Sequence, residues 1–328
     1  MVCVLLVMQE VESVCRLTAL RNEVFLMKRF QGTVTRPIHF AGVGLHSGSL
    51  VNLVVLPQGP GTGILFERMD LSAEPILACP GTISSTVLST TIGTPPNSVA
   101  TIEHLMAAFF GLGIDNALVR VSAGEIPILD GSAAPFVDKL SEAGLQIQHV
   151  AKPMIILSEP LDVIEGDKFI RYEPPSPGAE KFGHLDILCS VDFPSASIGK
   201  QSLSLRFSQQ EFLKLCEART FCHLESVKIM HAQGLALGGS LDNAVVVDDE
   251  KVLNADGLRF PDEFVRHKIL DFLGDIALLP GFLVGKVILC KNGHSLHAKF
   301  TKKIMTHLEN SVLNTEADES SDLRTALA

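Results

Sequence analysis

Three short segments of this chain carry side chains that could act on a substrate together. The run Phe264-Val265-Arg266-His267-Lys268-Ile269-Leu270-Asp271-Phe272-Leu273-Gly274-Asp275 sets His267, Asp271 and Asp275 at i, i+4 and i+8 of an otherwise largely apolar helical pattern. Residues four apart share a helix face, so an imidazole and a carboxylate one turn apart can chelate one ion while a second carboxylate orients a neighbouring group. Taken alone, a helix with one charged, solvated stripe would look the same. The second segment is Thr101-Ile102-Glu103-His104. Adjacent helical side chains diverge by about 100°, so His104 could bind a metal while Glu103 reaches the water beside it; a surface helix is the plain alternative. The third is Asn292-Gly293-His294, a histidine on a turn after the apolar strand Val284 to Leu289, or an ordinary loop histidine. Together they meet the requirement of a catalytic zinc site, three protein ligands and an open position for water, with His104, His267 and Asp271 as the ligands.

Composition narrows the chemistry further. Seven cysteines (Cys3, Cys15, Cys79, Cys189, Cys216, Cys222, Cys290) form no C-x-x-C pair, which suits neither a disulfide framework nor a thiolate zinc finger. A reducing compartment, the cytoplasm, is expected, with any metal held by His and carboxylate. The formal net charge of −10 argues against nucleic acid as a partner, since polyanion affinity needs clustered Lys and Arg. A local basic pocket for one small phosphate ligand stays open. No run approaches the roughly 18 apolar residues of a membrane helix, because Pro280, Gly281, Gly285 and Lys286 interrupt Ile276 to Cys290. Peripheral proximity to a membrane is left open, and no obligate protein partner is evident.

The elements that must position these residues are legible in outline. A length of 328 residues suggests two domains. Gly32 to Phe40 and Ser49 to Leu56 pattern as strands about the turn Gly42-Val43-Gly44-Leu45-His46-Ser47-Gly48, forming a hairpin. Its glycines are not a dinucleotide fingerprint, which must open a helix. Helices are expected at Thr101 to Phe110, capped by Thr101 or Ser98 and closed by Gly111, at Ala134 to Glu142, at Ser208 to Ala218 and at Asp262 to Leu279; Asn116 to Val121 reads as a buried strand. Strands and helices without regular βαβ alternation predict an α+β architecture. The order of elements recurs in both halves and hints at a duplicated fold, with a boundary near residue 150. Residues 1–30 read as an N-terminal extension without the basic region or cleavage site of a secretory signal, and with too many acids for a transit peptide. A start at Met27 is the alternative, so whether 1–26 belong to the mature protein stays open. Residues 306–328 read as a mobile acidic tail.

From about Gln31 to about Lys303 the chain resembles the UDP-3-O-acyl-N-acetylglucosamine deacetylases, the zinc enzymes of the committed step of lipid A biosynthesis. The matching blocks are GVGLHSG at 42–48, TIEHLMAAFFGLGIDN at 101–116, EIPILDGSAAPF at 125–136, ARTF at 218–221, GLALGGSLDNAVVVDD at 234–249, LNADGLRFPDEFVRHKILDFLGD at 253–275 and KNGH at 291–294. The resemblance implies two related two-layer α/β sandwich domains, 31–150 and 151–305, each with a small insert and with the active site between them. It implies one catalytic Zn²⁺ per chain on His104, His267 and Asp271, with Glu103 as the base, Thr220 as an oxyanion donor, and His294, held protonated by Asp275, as the acid. The implied substrate is a UDP-linked acylated amino sugar, whose acetamide is hydrolysed to free amine and acetate. Phe221, Gly239 and Ala244 are the implied substrate-binding residues. The second insert, about 221–247, would offer Leu224, Val227, Leu235 and Ala236 to an acyl passage, or to an ordinary packed core. Lys268 would contact a substrate phosphate or the carbonyl region, or be a solvated helix charge. Iron could occupy such a site. Cys222 departs from the pattern, where glycine is common, which puts the shape of the cleft in question and not its chemistry. A related metal amidase on another acylated amino sugar is the alternative, as is a catalytically inactive zinc-binding protein, although that would be expected to lack a base or an acid.

Overall fold

The computed structural model describes residues 29–180 and 183–326; the notion of a start at Met27 falls outside them. Strands β1 (Phe30–Val34), β2 (Ile38–Val43), β3 (Leu50–Pro57), β4 (Ile64–Arg68), β5 (Ile76–Leu77), β6 (Ile83–Ser85), β7 (Thr91–Thr94) and β8 (Asn97–Val99) precede helix α1 (Glu103–Leu112). Strand β9 (Ala117–Val121), helix α2 (Ala134–Ala143) and strand β10 (Leu145–Ala151) close this half. The second half runs β11 (Met154–Ile155), β12 (Leu161–Glu165), β13 (Lys168–Glu173), β14 (Leu185–Asp192), β15 (Lys200–Arg206), α3 (Gln209–Leu215), β16 (Phe221–His223), α4 (Leu224–Ala232), β17 (Val245–Val247), α5 (Glu263–Ile276), β18 (Phe282–Leu283), β19 (Gly285–Cys290) and α6 (His294–Ala326). The backbone of the acidic C-terminal stretch thus continues as α6.

The halves repeat one topology. Two five-stranded sheets have the orders β2-β3-β9-β4-β5 and β12-β13-β19-β14-β15. In each, the middle strand, β9 or β19, comes late in its half and is antiparallel to one neighbour and parallel to the other. The protein is therefore α+β, with two related units. The predicted hairpin is β2–β3, in register from Ile38 opposite Val55 to Val43 opposite Leu50, but its expected first strand, Gly32 to Phe40, is divided, because β1 pairs with β10 instead. Its turn is closed by the Glu125 carboxylate, which accepts from the backbone N–H groups of His46 (2.8 Å) and Ser47 (2.9 Å). One apolar core runs through both halves, and a smaller cluster of Ile198, Val245, Val247 and Phe264 lies beneath the insert.

Two helices fix the geometry of everything that follows. Helix α1 is buried on all sides, as its sequence EHLMAAFFGL requires, and ends with Gly113 in the left-handed region (φ 77°). The expected cap is corrected here: Ile102 occupies the N-cap and no side chain caps it. Thr101 has a positive φ of 58° and donates its hydroxyl to Glu125 (3.2 Å). The expected end at Gly111 also shifts, to Gly113. Helix α5 packs against α1 so closely that a Cβ on Gly274 would stand 2.1 Å from the Glu103 carbonyl oxygen. Gly274→Ala is therefore expected to pry the two helices apart and to destabilise the fold by about 1–3 kcal/mol. A denaturant midpoint equal to the wild type would show that the helices do not make this approach.

Candidate active site

The α1–α5 crossing is where the reactive side chains meet. His104 from α1 and His267 and Asp271 from α5 present potential ligand atoms that all lie within 4.8 Å of one another. The two imidazoles stand edge to face with ring centroids 5.1 Å apart. Asp271 Oδ1 faces both, at 3.2 Å from His267 Nε2 and 3.8 Å from His104 Nε2. All three residues are buried, so the solvated-stripe alternative does not describe α5 and the surface-helix alternative does not describe α1.

The donor set fits a divalent cation on its own chemistry. His267 Nδ1 lies 3.0 Å from the Ala218 carbonyl, which can only accept, so Nδ1 carries the hydrogen and Nε2 is the nitrogen left facing Asp271. Its Nε2 lies 3.2 Å from the carboxylate oxygen, a separation that either a proton on Nε2 or a cation shared by the two atoms makes favourable. His104 Nδ1 is buried with no hydrogen-bond partner, while its Nε2 lies 3.8 Å from Asp271 Oδ1 and adds a second imidazole nitrogen to the donor set. Asp271 spends its other oxygen on the Lys268 ammonium, at 2.7 Å. Burial pushes its carboxyl upward, but His267 and Lys268 outweigh that and hold it well below the ordinary carboxylate range. Lys268 is thus an ion-pair partner of a candidate ligand, its ammonium 5.4 Å from the centre of the Phe221 ring.

Beside this cluster stand a carboxylate and an imidazole with opposed tendencies. Glu103 is buried, which raises its proton affinity, although His294 and His104 oppose the rise. His294 opens α6, its Nε2 3.8 Å from Glu103 Oε1 and its Nδ1 2.8 Å from Asp275 Oδ2. Burial would depress the imidazole, yet Asp275 and Glu103 hold it at about 9. Asp275 is pushed upward by burial and more strongly downward by His294 and His297, to about 2. The result is an anion, a cation and a group poised to accept a proton, side by side.

A cavity of about 770 Å³, a volume ordinary for a small-ligand site, approaches this centre at Phe221, whose ring centroid lies 6.1 Å from that of His267. Thr220, Phe221, Gly239 and Ala244 all line it, as do Leu224, Val227 and Cys222. The βαβ unit β16-α4-β17, with its strands paired in parallel, forms one wall. The turn after β2 contributes Leu45 and His46, and is joined to the insert by backbone bonds from Leu237 to His46 and from Gly238 to Leu45. Lys268 and Leu235, both expected at the substrate, do not line this space.

Several residues at the site escaped the sequence reading. Thr90 donates its backbone N–H to Glu103 Oε2 (3.0 Å) and its hydroxyl to Asp275 Oδ1 (2.6 Å); it lies in a polar loop without periodicity, so nothing marked it. His297 sets its Nδ1 2.6 Å from Asp275 Oδ2, and its spacing of three from His294 on one helix was a usable signal. Glu263, fully buried, accepts from Arg219 N (3.0 Å), Arg219 Nε (2.9 Å) and Arg259 N (2.7 Å). That clamp sets the Ala218 carbonyl against His267.

Known proteins resemble this chain over most of its length. The family described as UDP-3-O-acyl N-acetylglycosamine deacetylase matches residues 31–306. A UDP-3-O-acyl-N-acetylglucosamine deacetylase of Geobacter sp. (strain M21) is 45% identical over 278 residues, covering 84% of this chain and 89% of that protein. Proteins of the same name from Myxococcus xanthus (strain DK1622) and Nitratidesulfovibrio vulgaris (strain Hildenborough) are 43% and 42% identical, covering 84% and 88% of this chain and 86% and 91% of their own lengths.

Proposed function

The chain belongs to the UDP-3-O-acyl N-acetylglycosamine deacetylase family, and from that premise we infer how its buried cluster carries out the reaction. The protein is a deacetylase of lipid A biosynthesis: it hydrolyses the acetamide of UDP-3-O-acyl-N-acetylglucosamine to UDP-3-O-acyl-glucosamine and acetate. The family is one of metalloenzymes, and we assign one Zn²⁺ per chain to His104, His267 and Asp271. When bound there, the ion supplies polarisation of the acetamide carbonyl and a lowered pKa for water.

The chain's own groups do the rest. Glu103 takes a proton from the attacking water, for which its burial and raised proton affinity suit it. Thr220 donates its hydroxyl to the oxygen that gains negative charge. His294, an imidazolium against Asp275, gives its proton to the departing nitrogen, and the C–N bond breaks to leave amine and acetate. The cavity takes the acyl chain, with Phe221, Gly239 and Ala244 along its wall; Lys268 acts chiefly on Asp271 and offers its remaining donors toward the substrate. Among the described residues no helix is long and apolar enough to cross a membrane, and we place the reaction in the cytoplasm, where a nucleotide-linked sugar is available.

The observation that supports this reading most is the neighbourhood of two imidazoles and a carboxylate with a separate base on α1 and a separate acid at the start of α6. Incubation with the UDP-linked acylated sugar is expected to yield equimolar amine and acetate, to stop on chelation and to resume with added Zn²⁺. Turnover unaffected by thorough chelation would overturn the metal assignment.

A further inference from the structure

One carboxylate, Asp275, stands between two imidazoles, and either could hold the proton that the reaction needs. Hydrogen-bond accounting decides between them. An ionised carboxylate only accepts, so its three close partners all donate: Thr90 Oγ1 to Oδ1 at 2.6 Å, and the Nδ1 atoms of His294 and His297 to Oδ2 at 2.8 and 2.6 Å. His297 Nε2 lies 2.9 Å from Asn292 Nδ2, and that same amide nitrogen lies 3.1 Å from the Lys268 carbonyl. A carbonyl can only accept, so the atom facing it is the amide nitrogen and not its oxygen. Its second hydrogen then points at His297 Nε2, which must present a lone pair. The Asn292 oxygen is in turn used by the Cys189 thiol, at 3.4 Å. Burial pushes that thiol up to about 12 and keeps it a donor.

We propose that Thr90, Asn292 and His297 are positioning residues of the deacetylation, which hold His297 as a neutral Nδ1–H imidazole so that the proton of the pair resides on His294 with its Nε2 toward Glu103. This rests on the reaction assigned above. His297 is fully buried, as a neutral ring can be, and burial lowers its proton affinity. Thr90 adds a second constraint, because its backbone N–H holds Glu103 while its hydroxyl holds Asp275. One residue of the first half thus sets the separation between base and acid. None of the three touches the substrate; they act through the groups that do.

The test uses the full-length, metal-loaded protein and the variants Thr90→Val, Thr90→Ser, His297→Phe and Asn292→Asp. Thr90→Val and His297→Phe are expected to keep metal content and KM while kcat falls about 10- to 100-fold, the usual loss when an outer hydrogen-bond partner is removed. Thr90→Ser restores kcat. Nitrogen-15 NMR of the imidazoles is expected to show His297 neutral with hydrogen on Nδ1 and His294 carrying the extra proton. In Asn292→Asp the new acceptor draws a proton onto His297, and the two signals exchange character. Wild-type kcat in folded Thr90→Val and His297→Phe would overturn the proposal, as would an Nε2–H tautomer of His297 in the wild type. The NMR result stands even if a variant fails to fold. Absence of deacetylation by the wild type would instead sink the reaction and leave the tautomer assignment to be judged by NMR.

Discussion

Asp271→Asn is expected to lose bound metal and deacetylation together. The substitution keeps the side chain's shape but removes the one anionic donor among His104, His267 and Asp271. It also leaves the Lys268 ammonium, 2.7 Å from Asp271 Oδ2, without its counter-charge in a buried site. A catalytic divalent ion contributes several kcal/mol of transition-state charge stabilisation, so turnover falls by at least about 10³-fold at 1.4 kcal/mol per decade. Metal content by atomic absorption and acetate release, measured on the same preparation, check this. A variant that keeps stoichiometric zinc and normal turnover would place the ion elsewhere. A lower melting temperature is expected as well, since removing one partner of a buried ion pair leaves the other uncompensated.

The second large effect separates proton transfer from metal binding. Glu103→Gln and His294→Ala are each expected to retain zinc while kcat falls on the order of 10²–10⁴-fold, the range for a positioned base or acid. The same pair predicts the pH profile. Glu103 must be ionised to act as base, and burial raises its proton affinity, so the acid limb lies above the ordinary carboxylate range. His294 must be protonated to act as acid; Asp275 and Glu103 hold it at about 9 against the opposing effect of burial, so the rate falls as pH rises through that region. A bound cation favours the deprotonated form of each group and draws both limbs toward lower pH. His294→Ala should therefore flatten the alkaline limb and leave the acid one. A His294→Ala profile with the alkaline limb intact would mean another group donates the proton.

How much of this was legible in the chain alone varies with the range of the interaction. Period-3.6 burial showed α5, with His267 and Asp271 on one face. The alternation in β3 and the glycine turn before it showed the first hairpin. Repetition of element order hinted at the duplicated fold, and the two sheets share one strand order. Helix α4 and its parallel strand pair were not foreseen, because LESVKIMHA buries no residue and so carries no clean face. The cap of α1 was misread for a related reason. Thr101 has the right chemistry for a cap, but its hydroxyl is used by Glu125, distant in sequence.

By itself the sequence determined which chemistry was available: two imidazoles and carboxylates at helical spacing, no thiolate pairs, and a family pattern spanning most of the length. Those are local properties, carried by residue type and by spacing of three or four along a helix. Only the tertiary structure decided which donors face which acceptors. Thr90 reaches Asp275 across 185 positions of chain, and the Ala218 carbonyl turns His267 across 49. The charge of His294 depends on burial together with carboxylates from two helices. Such contacts arise because Gly274 lets α5 lie against the first turn of α1, and close approach of distant segments leaves no periodic trace in either one.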